Sequence, residues 1–181
     1  MKNKPFWITE ALKHLGLKED TSKSKHNPVI LQMLDRMGSF SDEAKAWWKD
    51  DETPWCGLFV GYCLGVHRRY VIKNWFRASA WESPEQTKLD NPAYGCIVTF
   101  TRKGGGHVGF VVGVDDNDNL MVLGGNQGNE VSIKPFSKQR VTGYFWPSYW
   151  IDGKPVKGVP LESRYDLPVL KANGELSSDE S

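Results

Sequence analysis

The chain has no apolar run of the roughly 18 residues that a membrane-crossing helix needs, so stable insertion into a bilayer is not expected. Neither sign of charge dominates. Against 23 Lys and Arg stand 22 Asp and Glu, a net charge of +1, which gives no general basic footprint for nucleic acid or anionic lipid. Cysteine is scarce: three thiols, an odd number, do not make a disulfide framework. Cys56 and Cys63, if carried on one helix, stand about 10 Å apart by helical rise, beyond the ~7 Å that a bridge spans. With Cys96, all three are expected to be reduced. There is no internal repeat and no Gly-x-Ser-x-Gly nucleophile elbow, and the run Gly104–Gly106 lacks the Lys-Ser/Thr of a phosphate loop. No apolar run follows the basic start Met1–Lys4, so a Sec leader is not expected and synthesis in the cytoplasm is.

What the chain does have is enough length, 181 residues, for one domain with a real core, and eight tryptophans to help fill it. Its first part reads as helical. Ile8, Leu12 and Leu15 recur at helical spacing with Gly16 as a stop. Asn27-Pro28 opens a second helix striped by Ile30, Leu31, Leu34 and Met37, and Ser41–Ala44 resembles a further start leading to Trp47 and Trp48. A helix from Pro54 to about His67 carries Gly57, Gly61 and Gly65. Glycine costs a helix about 1 kcal/mol per site, so this spacing predicts a smooth ridge that another backbone approaches closely. Trp75–Trp81 suggests one more short helical segment.

From Gly95 the texture changes to short β-rich runs: Cys96–Phe100, His107–Val112, Leu120–Leu123, Val131–Ile133 and Val141–Phe145. The connections are too short for crossovers, which predicts an antiparallel sheet. Helices first and strands after make an α+β domain, with the helices on one side of the sheet. The domain is expected over residues 1–150, with 151–181 as an extended, partly disordered tail.

Chemistry is best signalled at Asp51–Val60. Thr53 reads as a helix cap, Pro54 as the first helical residue, and Cys56 then sits in the first turn, where the amides and dipole favour a thiolate. His107 begins a strand directly after a triple-glycine turn and is placed to face a cleft. Asn126, at the end of the following strand, is placed to accept from the imidazole and fix its tautomer. A helix-start Cys, a strand-start His and a polar residue one strand on are the nucleophile, base and orienter of cysteine hydrolysis. Other signals are poorer. Cys63 and His67 lack a second pair at zinc-ligand spacing. Asp115–Asn119 imitates a calcium loop, but Leu120 stands where that loop needs Gly, so it reads as a hairpin turn. No metal and no cofactor are expected.

Four motifs carry a family likeness: Trp55-Cys56-Gly57-Leu58-Phe59-Val60, Tyr94–Phe100, Gly106–Gly113 and Leu123-Gly124-Gly125-Asn126-Gln127. Together they resemble the CHAP-like branch of the NlpC-type papain-related cell-wall hydrolases, over about Trp7 to Pro147. The resemblance implies a papain-like core and cleavage of an amide bond in peptidoglycan, either the sugar–peptide amide or one within the stem. It implies Cys56 as nucleophile, His107 as base and Asn126 as third residue. Their motif neighbours Trp55, Gly106 and Gln127 are the expected substrate contacts. Many CHAP enzymes have an acidic residue where this chain has Gly124, so the orientation of His107 is expected to rest on neutral Asn126. The expected setting is a phage lysin or an injected antibacterial effector, the latter with a cognate immunity protein. Either acts as a monomer on the wall or in the periplasm. Two alternatives stay open: a non-catalytic papain-like binding module, and an amidase or deamidase directed at protein.

Overall fold

The structure, a computed structural model, describes residues 4–22, 26–38, 54–102 and 104–171. The helix start at Ser41–Ala44, the cap Thr53 and the end of the expected tail, 172–181, lie outside the described residues.

Helices α1 (Phe6–Leu12), α2 (Pro28–Gly38) and α3 (Cys56–Gly65) are followed by a six-stranded antiparallel sheet, an α+β arrangement. The strands are β1 (Thr87–Leu89), β2 (Ile97–Arg102), β3 (Gly105–Val114), β4 (Leu120–Gly124), β5 (Ser132–Phe136) and β6 (Val141–Trp146). Strands β2 to β5 run as a meander, and β6 returns to pair with β2 on its other side, giving the order β1-β6-β2-β3-β4-β5. Asn27 caps α2 through Oδ1, which accepts from the Val29 amide at 2.9 Å.

Helix α3 is apolar all round and buried among the other elements, packing against α1, α2 and β3. It begins later than the sequence predicts. The Trp55 carbonyl accepts the first helical bond, from Phe59, so Trp55 rather than Thr53 is the cap residue and Cys56 opens the helix. Of the glycine ridge, Gly57 has the expected close approach of another backbone, while Gly61 makes room for side chains. A Cβ on Gly57 would stand 2.3 Å from the Trp75 carbonyl oxygen, and one on Gly61 would stand 2.8 Å from Met37 Cε. Gly57→Ala therefore has to push the Trp75–Phe76 backbone off the helix. We expect a loss of about 2–3 kcal/mol, read as a fall of roughly 5–10 °C in thermal midpoint. Gly61→Ala should cost less, since a methionine tip gives way more easily than a carbonyl.

Residues 151–171, expected as a tail, are folded onto the body. Strands β7 (Tyr149–Ile151) and β8 (Lys154–Val156) form a hairpin turned by Asp152 (φ 49°) and Gly153 (φ 74°), so a boundary at 150 cuts through it. The Arg69 guanidinium lies 4.5 Å from the Trp7 ring centre and 3.8 Å from that of Tyr149, which ties the hairpin to α1. Further on, the Leu170 amide donates to the Val114 carbonyl at 2.7 Å, beside Gly113, where a Cβ would stand 2.5 Å from the Pro168 carbonyl oxygen.

Candidate active site

Cys56 opens α3 with its sulfur against the sheet: the backbone amide of Val108, the residue after His107, hydrogen-bonds Sγ. The nucleophile and base expected from the sequence are thus brought to one strand of the sheet. Burial pushes the Cys56 thiol above its ordinary value. The Val108 amide, the Arg102 guanidinium and the amides of Gly57 and Cys56 itself pull it back only in part. The helix-start bias toward thiolate is therefore present but outweighed by desolvation. The other thiols differ in kind. Burial holds Cys63 well above its usual value, with the Glu10 carboxylate adding to the effect, and pushes Cys96 up to about 12. Among the described residues, Cys56 is the thiol that lines the cleft described below and feels a positive side chain, Arg102.

His107 is buried, its ring stacked 5.4 Å from that of Phe136 and packed beside Phe100, its partner across the β2–β3 pair. Its Nε2 lies 3.1 Å from Gln127 Oε1. The roles in that bond follow from the far end of the amide. Gln127 Nε2 donates to the Val122 carbonyl at 3.3 Å, the Ser132 carbonyl at 2.8 Å and Ser132 Oγ at 3.1 Å. Three acceptors fix the amide nitrogen on that side, so Oε1 is turned to the imidazole and Nε2 of His107 must carry the proton. In the neutral ring Nδ1 is then the basic nitrogen.

The acceptor on the imidazole is Gln127, not Asn126. Asn126 takes a left-handed backbone (φ 57°), which Asn tolerates better than most residues, and its buried Oδ1 accepts no hydrogen bond. The residue turns the loop, and its neighbour faces the base. Gly124 serves the same contact. A Cβ there would stand 2.8 Å from Gln127 Oε1 and 3.3 Å from His107 Nε2, so any side chain at this position displaces the amide from the ring.

Two expected substrate contacts are placed otherwise. Gln127 is fully buried behind His107 and cannot reach a ligand in the cleft. Trp55 is also fully buried: its ring lies beneath Gly125, where a Cβ would approach to 2.6 Å, and its Nε1 donates to Glu19 Oε1 at 2.6 Å. Gly106 does line the cleft. This cleft, of about 620 Å³, joins Cys56 to Pro54, Phe76, Phe100 and Gly106, with Arg77 and Glu82 also on its wall. The two charged residues carried no spacing signal in the sequence. His107, expected to face a cleft, is buried and is not on the wall of this one. A cleft of similar volume, about 660 Å³, lies where Asp90, Val114, Asp118 and Tyr165 meet and does not contain Cys56.

Residues 48–126 match the family model of the CHAP domain. CHAP domains are found in peptidoglycan hydrolases of the NlpC/papain-like type. The CHAP match takes in Cys56, Gly106, His107 and Asn126 and stops one residue short of Gln127. No curated protein and no solved structure matches the chain.

Proposed function

We propose that the chain is a cysteine hydrolase that cleaves an amide bond in the peptide part of peptidoglycan, as an amidase or a stem endopeptidase. The observation that carries this reading is the sulfur of Cys56 held on the Val108 amide, next to a histidine whose Nε2–H is tied back by Gln127. That tie leaves Nδ1 to take the thiol proton. Burial keeps the sulfur protonated at rest, so the base is needed at the moment of attack.

In the first step Sγ gives its proton to His107 Nδ1 and bonds to the carbonyl carbon. The oxyanion is held in part by the Cys56 amide at the open end of α3. Collapse breaks the C–N bond, the departing amine takes the proton from His107, and a thioester remains. Water, losing a proton to His107, then attacks the thioester and returns the Cys56 thiol with a carboxylate product. On this reading the site of action is the wall, reached as a lysin or as an injected effector.

The test is mass spectrometry of fragments released from purified sacculi. The expected products carry one new amine and one new carboxylate at a single amide, and their masses name the bond. Prior treatment with iodoacetamide should abolish release and add one label, at Cys56. New reducing sugar ends, or release that survives full labelling of Cys56, would contradict the reading.

A further inference from the structure

The cleft beside Cys56 holds charges that the reaction does not use. Glu82 and Arg77 line it and are exposed. Arg102 reaches its edge, where its Nε would meet a Cβ on Gly105 at 3.8 Å, and its charge is felt at Cys56. None of the three forms an ion pair among the described residues. Two charges of opposite sign on the cleft wall, with a third at its edge, are placed to receive a ligand that carries both signs.

Their arrangement is ordered across the sheet. Val108, whose amide holds the sulfur, is the register partner of Thr99 on β2. Thr99 Oγ1 lies 2.8 Å from Thr142 Oγ1 on β6, and Thr142 Oγ1 lies 2.5 Å from Glu82 Oε1. A carboxylate only accepts, so the Thr142 hydroxyl donates to Glu82 and the Thr99 hydroxyl donates to Thr142. A row of two threonines thus ties Glu82 to the strand that holds the nucleophile. The row crosses two strand spacings, about 10 Å, which is close to the reach of three extended residues. Arg77 lies on the same wall above the Phe76 ring at 5.6 Å, and Arg102 is the arginine whose charge is felt at Cys56.

We propose that this cleft is a zwitterion subsite: Glu82 receives a free amine of the stem peptide, and Arg77 with Arg102 receives a free carboxylate near the scissile amide. The proposal deepens the hydrolase reading and rests on it. Stem peptides suit such a subsite because they carry free carboxylates and, on the diamino acid, a free side-chain amine.

The test uses two soluble muropeptides that differ only in whether the diamino-acid amine is free or N-acetylated. The wild-type protein should cleave the free-amine form with kcat/KM about tenfold higher, the difference lying in KM and shrinking as salt is raised. Glu82→Gln should lose that preference by raising KM for the free-amine form alone. Thr142→Val should do the same to a smaller degree, because it removes only the hydroxyl that holds the carboxylate. Equal cleavage of both substrates by the wild-type protein, or an equal loss on both in Glu82→Gln, overturns the subsite and leaves the hydrolase standing. Cleavage of neither muropeptide, together with no release from sacculi, overturns both.

Discussion

Cys56→Ala is expected to lower fragment release from sacculi by at least about a thousandfold, because in the proposed mechanism the sulfur forms the covalent intermediate. The fold should survive. The substitution removes one atom from a side chain at the cleft wall, and α3 keeps its cap and its packing. Thermal midpoint within a few degrees of wild type, with release gone, is the expected pair of results. Cys63→Ala and Cys96→Ala serve as contrasts, since both sulfurs are fully buried in the core. These variants should lose stability and keep turnover. A Cys56→Ala protein that still releases fragments would show that the thiol is not the nucleophile.

The second large effect is expected at Gln127, which the sequence suggested as a substrate contact and the structure places behind the base. Gln127→Leu removes the acceptor for His107 Nε2–H. The imidazole then has no fixed tautomer, and the fraction with a basic Nδ1 falls. We expect kcat to drop by about a hundredfold with KM little changed. A substrate contact would show the reverse, a raised KM at constant kcat. The variant also leaves the Val122 and Ser132 carbonyls without their donor, so it should be less stable by about 1–3 kcal/mol. Rates are therefore compared well below its midpoint. Asn126→Ala, by contrast, should act on the turn rather than on the base, since its buried oxygen contacts no donor.

The difference between Asn126 and Gln127 shows where sequence reading stops. Both are amides, both fall in the same glycine-rich turn, and one residue of shift decides which faces the sheet. The deciding facts are the left-handed backbone at Asn126 and three acceptors waiting for the Gln127 nitrogen. Neither is visible before the strands are in register. Trp55 is a similar case. A tryptophan beside a nucleophile suggests a groove wall, but Gly125 leaves room for its ring inside, and the ring goes there.

More of the fold was legible. Turn residues separated the runs that became β2 to β6, and Gly57 of α3 foretold the close passage of the Trp75–Phe76 backbone. Strand β1 was missed because its three residues show no alternation and pair only with β6. The β7–β8 hairpin was missed although Asp152-Gly153 is a recognised two-residue turn, because the proline-rich stretch around it drew the reading toward a tail. Glu82, Arg77 and Arg102 had no signal at all. Arg77 and Glu82 flank one short 3-10 turn and Arg102 ends β2, and the wall that sets Thr142 beside Glu82 forms only when β6 folds back beside β2.

The proposed hydrolysis turns on proton transfer from the Cys56 thiol to His107. It is tested most directly by the pH dependence of Cys56 alkylation in the wild-type protein and in His107→Ala, followed by peptide mapping. Burial holds the lone thiol above its ordinary value, so without the imidazole its reactivity should appear only as pH rises past about 9. With His107 in place to take the thiol proton, reactivity should already be present near neutral pH. Two profiles that differ in this way support the pair. Identical profiles, with or without the histidine, would contradict it.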